Sequence, residues 1–264
     1  MTLARWARPI GLVSAGLLLL ASCSSDDGQH QAFLLVEEGM LTVCSEVPYP
    51  PFEFEDPDAP SGYSGFDMDL MQAIADGLGL EMQVRVVGFD PLIDGTAFGY
   101  RQCDVGASAI TITEERRADI DFSDPYYDSL QSLLVAADSG ISSIDDLDGH
   151  TVGIQASSTG QKFAGEHLPS GAELQPYPGD AEMWPALQSG RIDAILQDYP
   201  VNYEHEQDDS NYTIVETFET DEQYGFAYGR GERRELIQAV NEQLAQLRED
   251  GTYDEIYQRY FGVD

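Results

Sequence analysis

The sequence predicts an α/β protein built on open, mostly parallel sheets. Three observations lead there. Short apolar runs with strand character recur along the chain, helical spacing follows most of them, and the alternation continues from Leu41 to the last residues without a tandem repeat. With 264 residues, 42% of them hydrophobic, the chain is long enough for two such sheets.

Taken in order, "LTVCSEV" (Leu41–Val47) reads as a strand. "FDMDLMQAIADGLGL" places Phe66, Leu70, Met71, Ile74 and Leu78 on one face of a helix that Gly77 and Gly79 close. "EMQVRVV" (Glu81–Val87) alternates, and "DVGASAI" (Asp104–Ile110) is a short buried strand. It leads to a helix start, with Thr113 as N-cap and Glu114 and Glu115 in the first turn. Arg116 and Arg117 follow, where the helix dipole disfavours cations. "SLLVAA" (Ser132–Ala137), "TVGIQ" (Thr151–Gln155), "IDAILQD" (Ile192–Asp198) and "YGFAYG" (Tyr224–Gly229) are strands. "SIDDLDG" is a capped turn, and "STGQKFAGEHL" and "AEMWPALQSG" are helices. The chain closes on a long amphipathic helix, "RRELIQAVNEQLAQLRED", and a coda, "GTYDEIYQRYFG".

Charge excludes some partners. Asp and Glu number 48 against 13 Lys and Arg, a formal net charge of -35. Such a chain repels nucleic acid and anionic lipid. The acid is spread along the whole chain, as on a solvated surface. The four histidines, His30, His150, His167 and His205, show no metal-ligand spacing. No phosphate loop or nucleophile elbow is present, so no metal and no cofactor is expected.

The first 22 residues read as a targeting segment, with Arg5 and Arg8 ahead of an apolar run from Ile10 to Ala21 that is too short to span a bilayer. "LLLLASC" resembles the lipobox of bacterial lipoproteins, which implies cleavage before Cys23 and its lipidation; an ordinary secretory signal is the alternative. Residues 23–38 read as a flexible tether. Cys44 and Cys103 then form an even pair in an oxidising compartment, either as a disulfide or as two buried thiols.

In open α/β sheets, ligands bind beyond the carboxyl ends of the strands. That rule selects Glu46, Tyr49, Phe89, Thr111, Arg116, Gln155, the stretch Ser157–Gly160, and Gln197 with Asp198. An Arg116 guanidinium matches a carboxylate in two parallel hydrogen bonds, or it pairs with Glu115 or Asp119 on the surface. "SSTGQ" offers hydroxyls and bare N–H groups, or is a plain helix cap. Asp198 can receive an ammonium, or caps a turn before Pro200. Together they describe a holder for each end of an α-amino acid, with Tyr49 and Phe89 as aromatic walls.

"YPPFEF", "SGFDMDLMQAIA", "ASAITITEERRADIDFSDPYY", "DDLDGHTVGIQASSTG", "SGRIDAILQDYP" and "REDGTYDEIYQRYFG" together resemble the family 3 solute-binding proteins of polar amino-acid ABC importers. The likeness runs from Leu41 to Gly262. It implies a two-lobe periplasmic-binding-protein fold of type II, two open α/β sheets joined by two hinge strands. Lobe 1 would be residues 39–128 and 224–264, and lobe 2 residues 129–223. The hinges would fall near Tyr126–Leu130 and Thr220–Tyr224.

The resemblance also implies roles. Arg116, Thr111 and the backbone near Ala109 would hold the ligand's α-carboxylate from lobe 1, and Thr159 would hold it from lobe 2. Asp198 would take the α-ammonium, and Tyr49 and Phe89 would sandwich the side chain. Glu46 and Gln155 would read side-chain polarity, Glu46 favouring a cationic or amide ligand such as arginine, lysine, histidine or glutamine. The implied protein is a monomer, not an enzyme, lipid-anchored outside the cytoplasm, delivering an amino acid to an ABC permease. A dehydratase-like enzyme of the same fold and a sensing module for a chemotaxis or kinase partner are the alternatives.

Overall fold

The structure, a computed structural model, describes residues 1–2 and 33–262. The targeting segment, Cys23 and the tether up to residue 32 lie outside the described residues. The first sheet is built around β1 (Met40–Ser45), which pairs in parallel with β4 (Glu81–Val86) and β5 (Val105–Gly106). Between β1 and β4 come the ribbon β2 (Phe54–Glu55) and β3 (Tyr63–Ser64), and helix α1 (Phe66–Gly77). Short helices α2 (Phe89–Ile93) and α3 (Thr96–Gly99) separate β4 from β5. β6 (Ile120–Phe122) lies at the sheet's far edge.

The second sheet takes β7 (Tyr127–Ala136), β8 (Thr151–Gln155), helix α4 (Thr159–His167), β9 (Glu173–Tyr177), helix α5 (Asp180–Gln188), β10 (Ala194–Asp198), helix α6 (Tyr199–Asp208) and β11 (Tyr212–Tyr224). The chain then returns to the first sheet as β12 (Ala227–Gly229) and ends in α7 (Arg234–Asp250) and α8 (Thr252–Phe261). Strand order is β4-β1-β5-β12-β6 in one sheet and β11-β7-β10-β8-β9 in the other. Two passages join them, β6 into β7 and β11 into β12.

The sheets are mixed rather than mostly parallel. In each, four strands share one direction and a single strand that has just crossed between the sheets, β12 in the first and β7 in the second, runs against its neighbours. A strand that leaves one sheet and immediately enters another has no helix to carry it back, so antiparallel pairing is the geometry open to it.

Apolar patterning sets the core as the sequence indicates. Leu70, Met71 and Ile74 of α1 are fully buried in one cluster with Leu41 and Val43 of β1 and Val240 and Leu244 of α7. Each such side chain contributes about 1.5–3 kcal/mol. β10 is buried on both faces: Ala194 and Leu196 pack towards Ala164, while Ile195 packs towards Met183 and Leu187. This explains its unbroken apolar run.

Four expectations change. Residues 104–110 yield only a two-residue strand, because the chain turns inward after Gly106 and Ala109 adopts φ 46°. The region after Thr113 is a single 3-10 turn, Arg116–Ala118, and not an α-helix. Residues 224–229 divide between β11 and β12 at Gly225–Phe226. Residues 33–38 are not a free tether. Val36 N donates to Asp104 Oδ1 at 2.8 Å, Glu37 pairs with Arg85, and Phe33 and Leu35 pack on the core. Cys44 and Cys103 form a disulfide, with Cα atoms 5.5 Å apart.

Candidate functional site

The carboxyl ends of the two sheets face each other across a cleft. All nine residues selected from the sequence line one cavity there: Glu46, Tyr49, Phe89, Ala109 and Thr111 with Arg116 from one side, and Gln155, Thr159 and Asp198 from the other. The cavity measures about 20 Å³, room for about one water.

Arg116 is 7% exposed, and its surroundings are unusual for a buried cation. Nη1 donates to the Thr111 carbonyl at 2.9 Å and Nη2 to the Ser157 carbonyl at 3.2 Å. The guanidinium lies over the Phe89 ring, 5.2 Å from its centroid. Among the described residues no carboxylate comes within ion-pair distance of it, so it does not pair with Glu115 or Asp119. Burial pulls its pKa down, opposed by the field of Glu222 and then Asp198. The expected helix dipole is absent, since a three-residue 3-10 turn carries little of one. Two left-handed residues shape this end: Ser157 (φ 62°), which turns its carbonyl to Arg116, and Ala109 (φ 46°), whose N–H bonds to Asp67 Oδ2. Strained backbone of this kind gathers at binding sites.

Asp198 ends β10 and immediately precedes α6, yet its side chain makes no capping hydrogen bond. Instead Oδ2 accepts from the Tyr49 hydroxyl at 2.8 Å and Oδ1 from Gln131 Nε2 at 2.6 Å. Burial, and next the charge of Glu222, push its carboxyl up to about 7. Thr159 opens α4, where Ser158 supplies the cap by accepting from Gln161 N at 3.0 Å. Gly160 lines the cavity and also makes room for protein: a Cβ there would lie 2.9 Å from Gln131 Oε1.

At the other end Gln155 Nε2 donates to Glu46 Oε2 at 2.5 Å, bridging the cleft. Glu46 Oε1 reaches Gly179, where a Cβ would stand 2.5 Å from it. Burial raises the Glu46 carboxyl to about 7; the Gln155 bond opposes this, while Glu182, Asp90 and Asp180 add to it. The aromatic walls are more committed than the sequence suggests. The Tyr49 hydroxyl is engaged by Asp198, and Phe89 lies against Arg116.

Sequence reasoning missed two polar residues that organise this cleft. Gln131, fully buried in β7, orients Asp198. The strand legible in the sequence, Ser132–Ala137, begins one residue later, and a glutamine abutting that apolar run is the signal that could have found it. Glu222, on β11 after a bulge, accepts from Thr111 Oγ1 at 2.9 Å and Thr159 Oγ1 at 2.8 Å. In the acidic stretch "ETDEQ" it looks like one more solvated charge. Among the described residues no cluster of His, Cys, Asp or Glu could hold a metal, and no helix is long and apolar enough to cross a membrane.

Comparison with known proteins places this geometry in context. The profile described as bacterial extracellular solute-binding proteins, family 3, matches residues 41–263. The L-cystine-binding protein TcyJ of Escherichia coli (strain K12) is 29% identical over 259 residues, 97% of this chain and 95% of that one. The putative ABC transporter arginine-binding protein 2 of the same strain is 34% identical over 226 residues, 84% of this chain and 90% of that one. Among solved structures, an ancestral arginine-binding protein bound to glutamine superposes with a TM-score of 0.78 at 35% identity, covering 86% of this chain and 100% of that one.

Proposed function

The chain belongs to the bacterial extracellular solute-binding proteins, family 3, and from that membership we propose that it captures a polar amino acid with a cationic or amide side chain for an ABC importer. The observation that carries this reading is Arg116: a buried guanidinium bonded only to carbonyls, in the same cleft as the buried carboxyl of Asp198. An unpaired buried charge is costly, and a ligand carboxylate relieves that cost. Arg116 takes the α-carboxylate, helped by backbone N–H groups near Thr111 and Thr159. Asp198 takes the α-ammonium, and Tyr49 and Phe89 flank the side chain. A binder of micromolar affinity needs about 8 kcal/mol, and charge-assisted hydrogen bonds contribute about 1.5–3 kcal/mol each, so these contacts are sufficient.

Glu46 supports the choice of side chain. It faces the cleft with Asp90, Asp180 and Glu182 adding negative potential, which favours a guanidinium or ammonium and repels a carboxylate. Among the relatives' names, an arginine-binding protein and a cystine-binding protein fit the polar amino-acid class.

In our reading lobe 1 comprises residues 39–128 and 224–264 and lobe 2 residues 129–223, hinged where β7 and β11 cross between the sheets. A cavity of about 20 Å³ does not admit an amino acid, so the lobes part to load and shut on the ligand. The closed monomer then docks on a permease, held near it by a lipid on Cys23. No chemistry is done on the cargo. A thermal-shift screen of the purified protein against the twenty amino acids, with mass spectrometry of the recovered ligand, tests the reading. At 100 times Kd a true ligand stabilises by about 2.7 kcal/mol and is recovered unchanged. A new product, or stabilisation by glutamate and aspartate alone, overturns it.

A further inference from the structure

We propose that Glu222, reaching into the cleft from hinge strand β11, is a positioning residue that turns the hydroxyls of Thr111 and Thr159 into acceptors facing the ligand. The inference rests on the functional reading above and assigns a part of the site which that reading leaves open. Both hydroxyls lie within hydrogen-bond distance of one atom, Glu222 Oε2, at 2.9 Å and 2.8 Å. They are 3.4 Å from each other. A hydroxyl has a single proton, and a carboxylate oxygen only accepts. Each threonine therefore gives its proton to Glu222 and presents only lone pairs to the cavity that both residues line.

The consequence is a fixed direction of hydrogen bonding. Lone pairs facing the cavity that Asp198 also lines suit an ammonium, which has three N–H bonds to place. They cannot donate to a carboxylate, so that group falls to Arg116 and to the backbone N–H groups opening α4, which have no intrahelical acceptors. Glu222 thus separates the two ends of the ligand by polarity. It also ties the sides together, since Thr111 follows β5 of the first sheet and Thr159 opens α4 of the second.

The backbone is shaped for this aim. The pairing of β7 with β11 breaks register between Phe218 and Glu222, and Asp221 adopts φ 52°. Bulges re-aim a side chain at the expense of ladder bonds, and here the side chain re-aimed is Glu222. Gln131 Nε2 braces the other oxygen at 3.3 Å while holding Asp198 at 2.6 Å, so the carboxylate's orientation and the ammonium holder are linked through one amide.

The test uses calorimetry with L-arginine, its deaminated acid 5-guanidinopentanoate and its decarboxylated amine agmatine, on the wild type, Glu222→Gln and Glu222→Leu. The glutamine keeps a carbonyl acceptor but no charge, and the leucine keeps neither. In Glu222→Leu the hydroxyls are free to donate, so the preference for arginine over the deaminated acid shrinks at least about tenfold, while agmatine loses ground to it. In Glu222→Gln that preference stays within about threefold of the wild type. Equal shifts in both variants would mean that charge and not hydrogen-bond direction matters, and no shift in Glu222→Leu would mean that the hydroxyls are not held; either overturns the proposal.

A second arm needs no ligand. In urea unfolding of the free protein, Thr111→Val and Glu222→Leu are combined in a double-mutant cycle. Their effects on the unfolding constant should be non-additive by at least about threefold. Additivity overturns the proposal by itself. If none of the three compounds binds the wild type yet the cycle is non-additive, the functional reading falls while the held hydroxyl direction stands.

Discussion

Arg116 carries a cost in the free protein which, in our proposal, a ligand carboxylate relieves. Its guanidinium sits among carbonyls and an aromatic face, without a carboxylate, so the free protein carries the cost of a desolvated charge. Arg116→Met should abolish arginine binding in calorimetry while leaving the unfolding midpoint of the free protein unchanged or higher. Asp198→Asn should also lose binding, by at least about tenfold.

The two raised carboxyls make a pH prediction. Burial lifts both Glu46 and Asp198 to about 7 in the fold, far above their values of 4.5 and 3.8 without it. The folded state therefore holds these protons more tightly than the unfolded chain. The stability they contribute is complete below about pH 4 and is lost as pH rises through 7. Ligand cations need the ionised forms, so affinity runs the other way. It should fall about tenfold per pH unit below 7 for each carboxylate that must ionise, with protons released on binding. Calorimetry between pH 5 and 8 in buffers of different ionisation enthalpy measures both, and Glu46→Gln should flatten the affinity profile.

At the scale of elements, the two passages between sheets do most of the positioning. β7 carries Gln131 and β11 carries Glu222, so the strands that connect the lobes also furnish the floor of the site. Asp221 takes the left-handed turn that aims Glu222. Asp221→Val should destabilise the protein by about 1–2 kcal/mol, since a branched side chain is strained there. Asp221→Gly should not, and urea denaturation compares them. Elsewhere the Cys44–Cys103 disulfide closes a loop of 59 residues across the first sheet. Its removal by Cys44→Ala with Cys103→Ala should cost about 4 kcal/mol on the chain-entropy estimate.

What was legible in the sequence follows from range of interaction. β10 could be read because an apolar run followed by "QD" is local, and its carboxyl end is where such sheets place ligand groups. The nine selected residues lie at strand ends or in the segments that follow them, for the same reason. Glu222 was hidden because its importance depends on a bulge and on two threonines distant in sequence. The expected helix at Thr113 failed because the cap reading was right only in part. Thr113 Oγ1 does accept from Arg116 N at 3.1 Å, but the chain is pulled into β6 before an α-helical turn can form. The packed state of residues 33–38 depends on Asp104, buried beside Arg233 at 3.2 Å. Burial outweighs that cation and raises the Asp104 carboxyl, a balance invisible in a list of charges.

For the whole molecule the net charge of -35 acts at long range. It does not determine the fold, but it draws cations towards every face, the cleft mouth included. The association rate of arginine should fall several-fold between about 0.05 and 0.5 M salt as the Debye length contracts, while that of neutral glutamine stays nearly constant. Stopped-flow fluorescence of Trp184, which stacks on His205 behind the second sheet, can follow both.

The small free volume of the cavity between Arg116 and Asp198 sets a limit on speed. In our reading cargo reaches it only during an excursion of the two halves about their paired strands. Observed uptake by the isolated protein should then level off with rising solute at the frequency of that excursion, a plateau that further supply cannot lift.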